Sequence, residues 1–344
     1  MKHLILSIVS FLLTISSCGK KDVRANNPAP TNLTVNAIVN SDNSGNVAFT
    51  ASATNAVSYD FDFGNGVLQT GTTGSLTYKY PASGTYTVKV IAIGAGGQSI
   101  TTTIQVTVTV VLVLVWSDEF NTAGTPDASK WSFEIGDGCP NLCGWGNNEL
   151  QWYTNRPENA VVQGGLLKIT AIRESFSGKS FTSARMISRD KYSFRYGKIE
   201  VRAKLPAGVG TWPAIWMLGN NINTAGWPAC GEIDIMEHRG SHLNTITAAL
   251  HHPGRSGGNA DGGSTNISNA STEFHKYGLE WNGGIIKFLV DDVVFYTFVN
   301  SPGLPFNQNF FIILNVAMGG NYGGPVDSGF TTAAMEVDYV RVYQ

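Results

Sequence analysis

The stretch Lys198-Ile199-Glu200-Val201-Arg202-Ala203-Lys204-Leu205 decides the fold, because apolar and charged residues alternate along it without interruption. A period of two residues is typical of a β-strand that buries one face and exposes the other. The β-rich run over 285–298 is interrupted by Asp291-Asp292, as the turn of a hairpin would interrupt it. Since no segment sustains a helical period, region 111–344 is predicted to form one large β-sandwich or jelly roll.

Residues 31–110 predict a second, smaller β-domain. Short alternating runs are separated there by turn signals such as Asn65-Gly66 and Gly94-Ala95-Gly96-Gly97, which is typical of a small antiparallel sandwich. The segment has no Trp, His or Cys, and its charged side chains number five: Asp42, Asp60, Asp62, Lys79 and Lys89. A hydrolytic site needs a group of suitable pKa in a cleft, so we expect the chemistry to lie in region 111–344.

The first 30 residues predict export and a lipid anchor. An apolar run over 4–15 is too short for a bilayer span of about 20 residues, but it suits the core of a signal peptide over 1–17. The run ends at Ser16-Ser17-Cys18, which resembles a bacterial lipobox, and an ordinary secretory signal with an incidental cysteine is the alternative. Residues 18–30 are polar and predict a tether. We expect lipid on Cys18 to hold the protein at a bacterial outer membrane or cell surface, with no other membrane contact.

The composition excludes nucleic acid as a partner. Charged residues make up 14% of the chain, against roughly 25% in an average soluble protein. The net charge is −2, and binding through phosphate contacts needs a concentrated basic face that this sequence lacks. The 39 glycines and the low charge together are typical of an extracellular, turn-rich β-protein.

Three cysteines remain after Cys18. Cys139 and Cys143 bracket a turn-like stretch, and in an exported protein this spacing favours a disulfide. Cys230 is then either buried and free, or paired with one of those two. No second cysteine pair stands at metal-ligand spacing, so the sequence predicts no structural zinc site.

The stretch Gly231-Glu232-Ile233-Asp234-Ile235-Met236-Glu237-His238 carries the sharpest functional signal. On a strand, Glu232 and Asp234 share a face, whereas Glu237 is out of phase, so a β-bulge near 235–236 must bring all three acids to one cleft. Crowded acids raise each other's pKa, which suits an acid that must stay protonated. Paired carboxylates across a cleft, about 5–5.5 Å apart in a retaining enzyme, cleave glycosidic bonds. The alternative is an edge strand with a solvated acidic face.

Tryptophans and histidines surround the acids in the sequence. Trp212 and Trp216 share a strand face, and Trp227 follows shortly after, so their rings are candidates for stacking on sugar rings; core packing is the alternative for each. His251 and His252 are adjacent and face opposite ways, so they cannot both ligate one metal. For these two and His238, a paired or exposed histidine is a better interpretation than a catalytic one. We keep His251 as a candidate substrate-binding residue.

Several motifs, in order, resemble glycoside hydrolase family 16. They are Trp116-Ser117-Asp118-Glu119-Phe120, Gly146-Asn147-Asn148-Glu149-Leu150-Gln151-Trp152-Tyr153, Thr182-Ser183-Ala184-Arg185, Tyr196-Gly197-Lys198-Ile199-Glu200-Val201-Arg202-Ala203, Trp212-Pro213-Ala214-Ile215-Trp216 and Glu232-Ile233-Asp234-Ile235-Met236-Glu237. The Glu-x-Asp-x-x-Glu form is most similar to the laminarinases of that family, which are endo-acting β-1,3-glucanases. The resemblance implies a concanavalin-like β-jelly roll over 111–344, with a glycan cleft and retention of anomeric configuration.

The resemblance also implies roles for individual residues. Glu232 matches the nucleophile, Glu237 the general acid/base, and Asp234 the residue that orients and tunes the nucleophile. Arg185 and Asn148 match positions that hydrogen-bond sugar hydroxyls. The sugar platforms would be Trp212, Trp216 and Trp227.

Many members of the family bind a structural calcium ion. The matching positions are Glu119, Gly165 through its carbonyl, and Asp338, and hard oxygen ligands suit that ion. The resemblance implies no cofactor for catalysis.

The smaller region resembles a PKD domain. The matching residues are Tyr59-Asp60-Phe61-Asp62-Phe63-Gly64-Asn65-Gly66 and Tyr80-Pro81-Ala82-Ser83-Gly84-Thr85-Tyr86-Thr87-Val88, with Asn65 in place of the aspartate of the usual Gly-Asp-Gly. This resemblance implies an immunoglobulin-like spacer or interaction module over 31–110.

The leading hypothesis is a lipid-anchored, monomeric endo-β-1,3-glucanase, or a mixed-linkage β-1,3/1,4-glucanase, whose partner is a β-glucan polysaccharide. One alternative is a relative that acts on agarose, carrageenan, galactan or xyloglucan. The other is a surface glycan-binding protein without catalytic activity. Three acids crowded on one strand favour an enzyme, because a binding module has no need of repelling like charges.

Overall fold

The computed structural model describes residues 27–344. The predicted signal peptide, Cys18 and most of the predicted tether lie outside the described residues. The described part contains 24 strands and two four-residue helices, α1 (Ile222–Ala225) and α2 (Gly320–Gly323). Short 3₁₀ turns occur at Cys143–Gly146 and Gly257–Asn259. Within residues 27–344, no helix is long and apolar enough to cross a membrane.

The smaller domain is a sandwich of two antiparallel sheets. Its strands are β1 (Thr31–Val39), β2 (Asn46–Thr54), β3 (Ala56–Asp62), β4 (Leu68–Gly71), β5 (Ser75–Lys79), β6 (Gly84–Gly94) and β7 (Ser99–Val108). They form sheets of order β1-β2-β5 and β4-β3-β6-β7. Phe49, Phe61, Phe63 and Tyr80 fill the space between the sheets, and each is almost fully buried. The predicted immunoglobulin-like sandwich is confirmed.

The larger domain contains the remaining 17 strands. They are β8 (Leu114–Asp118), β9 (Ser132–Phe133), β10 (Gln151–Tyr153), β11 (Ala160–Gln163), β12 (Leu166–Phe176), β13 (Lys179–Ser183), β14 (Arg185–Ile187), β15 (Gly197–Lys204), β16 (Thr211–Gly219), β17 (Glu232–His238), β18 (Thr245–His251), β19 (Asp261–Asn266), β20 (His275–Trp281), β21 (Ile285–Val290), β22 (Val293–Val299), β23 (Phe310–Met318) and β24 (Thr332–Tyr343).

These strands form two packed sheets. The seven-stranded sheet has the order β19-β18-β17-β16-β23-β14-β9, and the ten-stranded sheet follows β10-β13-β12-β24-β15-β20-β21-β22, with β11 on β12 and β8 on β24. The predicted jelly-roll sandwich is confirmed. We call the face of the seven-stranded sheet that points away from the core the site face.

The alternation along β15 accounts for its place in the core. Ile199, Val201 and Ala203 are fully buried, while Lys198 and Arg202 remain partly exposed. β15 pairs antiparallel with both β20 and β24, so its apolar face adjoins those of two neighbours. Burial of each Ile or Val side chain stabilises the fold by about 1.5–3 kcal/mol.

β23 is buried on both faces. Its alternate residues from Phe310 to Met318 join the core between the sheets, whereas Phe311 and Ile313 pack in a small apolar cluster on the site face. The strand pairs with β16 on one side and β14 on the other. Asn315 follows in the same phase, so this polar residue lies on the site face as well.

Backbone hydrogen bonds attach each end of the short linker 111–113 to one of the two domains. The Val111 N–H donates to the Asn43 carbonyl of the smaller domain at 3.0 Å. Val113 and Gln344 exchange backbone hydrogen bonds of 3.0 Å each, which attaches Val113 to the end of the larger domain. The chain therefore passes from one domain to the other across Leu112.

Candidate active site

A β-bulge in β17 brings the three predicted acids together. Opposite β16, Asp234 pairs with Trp216 and Met236 with Ile215, which leaves Ile235 as an extra residue. The register with β18 shifts at the same place. Ile235 and Met236 are both buried in the core, so the strand changes phase and the third acid returns to the site face. The bulge expected near 235–236 is confirmed.

Each of the two glutamates accepts a hydrogen bond from a tryptophan. Trp227 Nε1 donates to Glu232 Oε2 at 3.0 Å, and Trp212 Nε1 donates to Glu237 Oε1 at 3.0 Å. These indole N–H groups favour the ionised form of each carboxylate and fix its direction. Trp212 and Trp227 are therefore held next to the acids by their indole N–H groups.

Burial raises the pKa of all three acids. For Glu232 and Glu237, burial is the largest cause and the negative charge of Asp234 the next, and each pKa rises to about 8. Burial alone raises the pKa of Asp234 to about 8 as well. The Glu232 side chain is 18% exposed, and the charges of His251 and Arg185 oppose the rise in its pKa. At neutral pH the three coupled acids therefore retain at least one proton between them, as a general acid requires.

The three tryptophans that the sequence offers as sugar platforms lie beside the acids. Trp212 and Trp216 share the site face of β16, and Trp227 is 49% exposed on the turn after α1. Trp212 also packs against Tyr322, with ring centroids 5.3 Å apart. Partly exposed rings beside carboxylates suit the apolar faces of sugar rings.

The side chain of Arg185 is fixed by contacts with neighbouring side chains. Its guanidinium lies 4.3 Å from the Trp145 ring centroid and 4.8 Å from that of Trp216. Its Nε is 2.6 Å from Glu134 Oε2. The side chain is almost fully buried, so Arg185 presents one edge of a fixed cation to the site.

Asn148 lies at the margin of the site. Its Nδ2 donates to Asn321 Oδ1 of α2 at 2.8 Å, and the residue is exposed with a φ of 57°. The structure gives it this contact with α2 and none with the acids. Its role toward a sugar stays a prediction.

The sequence interpretation missed a buried polar chain beside the acids. Trp216 Nε1 donates to Asn315 Oδ1 at 2.7 Å, and Asn315 Nδ2 donates to the Tyr153 hydroxyl at 3.0 Å. The Tyr153 hydroxyl in turn donates to Glu149 Oε2, which also accepts from Gln151 Nε2. Burial raises the pKa of Glu149, opposed by the charge of Arg185. The signal was Asn315, a single polar residue in an apolar run.

Both carboxylates of the predicted calcium positions are paired with arginines. Both Glu119 oxygens accept hydrogen bonds from Arg341, at 3.0 and 2.8 Å, and Asp338 Oδ2 accepts from Arg202. Gly165 lies in the turn between β11 and β12. Guanidinium groups thus occupy the carboxylates that a calcium ion would need. The calcium site stays a prediction.

Among the described residues, the cysteines and the histidines other than His251 make no hydrogen bond or ion pair with the three acids. Cys139 and Cys143 form a disulfide, and of the described cysteines Cys230 is the one that is buried and free. His238 is fully buried, with Nε2 3.1 Å from the Leu243 carbonyl, and burial lowers its pKa. His252 packs against core phenylalanines. His251 alone among the described histidines faces the acids, at the end of β18.

The fold and the site define a class of protein. Two glutamates with raised pKa values lie on one strand of a double β-sheet, beside tryptophan rings and a fixed arginine. This set can protonate a glycosidic oxygen, attack an anomeric carbon and hold sugar rings. The molecule is a glycoside hydrolase.

Known proteins identify the family. The model of glycosyl hydrolases family 16 matches residues 146–341, and the PKD domain model matches residues 32–110. A beta-glucanase of Rhodothermus marinus is 44% identical over 246 residues, covering 67% of this chain and 84% of that protein. A glucan endo-1,3-beta-glucosidase of Cryptopygus antarcticus is 41% identical over 251 residues, covering 66% of this chain and 90% of that protein.

A solved structure is similar over the same region. The laminarinase catalytic domain of Thermotoga maritima MSB8 has a TM-score of 0.64 at 42% identity, covering 68% of this chain and 98% of that one. The chain belongs to glycosyl hydrolase family 16, with a PKD domain preceding the catalytic domain.

Proposed function

We propose that the chain is an endo-acting, retaining glycoside hydrolase that cleaves β-1,3-linked glucans of the laminarin type, and mixed-linkage β-1,3/1,4-glucans. The observation that carries this proposal is the bulged strand β17, which places Glu232, Asp234 and Glu237 on one face. The relatives named above support β-1,3-glucan as the substrate, since their names include a laminarinase and an endo-1,3-glucosidase.

In the first step, Glu232 attacks the anomeric carbon. A carboxylate oxygen forms the glycosyl–enzyme ester as the glycosidic C–O bond breaks. Glu237 donates its proton to the leaving oxygen, which departs as a hydroxyl of the released glucan. The raised pKa of Glu237 keeps that proton in place at neutral pH.

In the second step, water releases the glycosyl–enzyme. Glu237, now a carboxylate, takes a proton from the water as the water oxygen attacks the anomeric carbon, and the ester bond to Glu232 breaks. The Trp212 N–H stabilises this ionised form of Glu237. Two inversions at one carbon give net retention of configuration.

The remaining site residues bind and orient the glucan. Trp212, Trp216 and Trp227 offer ring faces for stacking, and the fixed guanidinium of Arg185 offers N–H donors to sugar hydroxyls. Asp234 lies between the two glutamates and raises the pKa of both. The charge of Asp234 thus affects the protonation of both glutamates.

The test is hydrolysis of laminarin by Glu232→Gln and Glu237→Gln variants. We expect each to lower kcat by at least about 10³-fold, because nucleophile and general acid/base act only in the transition state. Glu280→Gln, at a half-exposed glutamate of β20 remote from the acids, is the matched control and should keep full activity. Proton NMR of the first products should show the β-anomer. Near-normal hydrolysis by Glu232→Gln would refute the assignment.

We also propose that the protein is exported as a monomer and anchored through lipid on Cys18. The sequence around Cys18 supports this proposal, and it lies outside the described residues. Labelled palmitate should enter the parent protein in a bacterial host and not Cys18→Ala. Incorporation into both proteins would contradict a lipid on this cysteine.

A further inference from the structure

Both ring nitrogens of His251 lie close to other groups of the protein. Nε2 lies 3.0 Å from Asp234 Oδ2 and 3.5 Å from Glu232 Oε1. Nδ1 accepts a hydrogen bond of 3.0 Å from the backbone N–H of Gly257. Nε2 is thus directed at the acids and Nδ1 at the backbone, and the substrate-binding role expected from the sequence stays a prediction.

The Gly257 contact determines the tautomer of the imidazole. A nitrogen that accepts from an N–H cannot itself carry a proton, because two hydrogens would then face each other. The ring proton of His251 therefore resides on Nε2. That proton points toward the two carboxylates of β17.

The loop that carries Gly257 is anchored on the opposite side of the strand. His252 is 7% exposed, and its Nε2 lies 2.9 Å from Asp261 Oδ2. Arg255 Nη2 donates to Asp261 Oδ1 at 2.8 Å, and backbone hydrogen bonds join His252 and Arg255 in both directions. This brace holds the loop over 252–261, and with it the amide of Gly257.

One oxygen of Asp234 explains why the acids need this donor. Asp234 is 4% exposed, and its Oδ2 has no aligned hydrogen bond in the described residues. His251 Nε2, at 3.0 Å, stands outside ideal alignment but is close enough to donate after a small rotation of either side chain. A buried carboxylate oxygen without a partner is costly, so this donor sets which way Asp234 points.

We propose that His251 is a positioning residue, a neutral imidazole fixed in the Nε2–H form by Gly257, which directs Asp234 and Glu232 for nucleophilic attack. This inference rests on the proposed function, since it specifies how that site keeps its nucleophile ionised and oriented. His251 acts through the two acids and forms no bond with the substrate.

Two substitutions of His251 test whether the hydrogen-bond donor at the position of Nε2 matters, as opposed to the imidazole ring as a whole. His251→Gln can carry an N–H to the position of Nε2, whereas the side chain of His251→Asn ends at the distance of Nδ1. We expect the Gln variant to keep kcat on laminarin within about 5-fold, and the Asn variant to lose about 10- to 100-fold with KM unchanged. His242→Gln, at an exposed histidine, is the matched control. Equal kcat values for Gln and Asn, or a change in KM alone, would refute the proposal.

The pH profile gives a readout that a merely structural role would not change. Glu232 is faced by Asp234 and Glu237 from its own strand, by His251 from β18 and by Arg185 from β14. Removing the Nε2–H donor leaves the ionised nucleophile less stabilised, so its pKa rises. The acid limb of kcat/KM should move to higher pH by about one unit in His251→Asn and stay in place in His251→Gln. An unmoved limb in the Asn variant would count against the proposal.

Nitrogen-15 NMR of histidine-labelled full-length protein tests the tautomer without any assay of activity. The signals of His251, assigned by their loss in the Gln variant, should show a protonated Nε2 and an unprotonated Nδ1 at pH 7. An Nδ1–H tautomer or an imidazolium would overturn the proposal. If the parent protein fails to cleave laminarin, the proposed function fails, and the NMR result still decides the state of His251.

Discussion

At the scale of residues, the burial of the three acids makes the stability of the folded state depend on pH. Glu237 is neutral at low pH and becomes a buried charge beside Asp234 as the pH rises. Its pKa is raised from 4.5 to about 8, so the folded state binds more protons than the unfolded state between these values. The stability that the neutral form contributes is complete below about 4.5 and is lost as the pH rises through about 8.

Glu237→Gln should remove this loss of stability. The amide keeps an oxygen for the Trp212 N–H but cannot ionise, so the melting temperature of the catalytic domain should exceed that of the parent at pH 9 and match it more closely at pH 5. The gain should reach several degrees, since about 1 kcal/mol shifts the Tm of a domain of 150–250 residues by about 2–4 °C. Calorimetry across pH, with Glu280→Gln as the control, measures it. A gain that is larger at pH 5 would reverse the sign and contradict the pKa assignment.

At the scale of elements, β23 supports the site through one polar residue. Asn315 joins Trp216 of β16 to Tyr153 of β10, so a strand buried on both faces also carries a hydrogen-bond chain to a tryptophan of the site face. Such a chain is costly to interrupt, because the partners left behind are buried.

Asn315→Leu should therefore destabilise the catalytic domain. The substitution fits an apolar strand but leaves the Trp216 indole N–H without its acceptor and the Tyr153 hydroxyl without its donor. We expect a loss of about 2–4 kcal/mol in the free energy of unfolding, measured by urea titration and tryptophan fluorescence. Asn121→Leu, at an exposed asparagine, controls for the change of residue type. A loss as small as that of the control would show that water replaces both partners.

The elements differ in how far their sequence reveals them. Alternation predicts β15 correctly, and Asp291-Asp292 forms the turn between β21 and β22, with φ values of 51° and 65°. The bulge in β17 follows from the spacing of its acids, given that all three must share one face. These features are local, so a short stretch of sequence contains the cause of each.

Other parts of the site arise from contacts between distant segments. Asn315 meets Tyr153 across 162 positions, and Gly257 meets His251 because a braced loop turns back on its strand. Arg185 lies between two tryptophan rings that belong to different segments. Sequence periodicity describes one strand at a time, so it does not reveal which side chains meet across the sheet.

At the scale of the whole molecule, the two domains have separate cores. The buried residues of the smaller domain all come from positions 47–108, and those of the larger core from 120–342, with no residue shared. The acids and their partners lie in the larger domain. The separate cores predict that the larger domain folds without the smaller one.

Removing residues 27–110 should leave catalysis unchanged. We expect kcat/KM on soluble laminarin to stay within about twofold of that of the full chain, because no side chain of the site is lost. Activity on insoluble β-glucan should also be unchanged if the PKD domain is a spacer. A selective loss on the insoluble polymer would instead make the PKD domain a glycan binder.

The junction at Leu112 has a consequence for the motion of the enzyme. Val111 is bonded to one domain and Val113 to the other, so the torsions of very few residues are free to change the angle between the domains. The two domains should then tumble in solution as one body, with a single rotational correlation time. If lipid on Cys18 anchors the chain as proposed, such a junction limits the height and direction at which the cleft meets a polysaccharide.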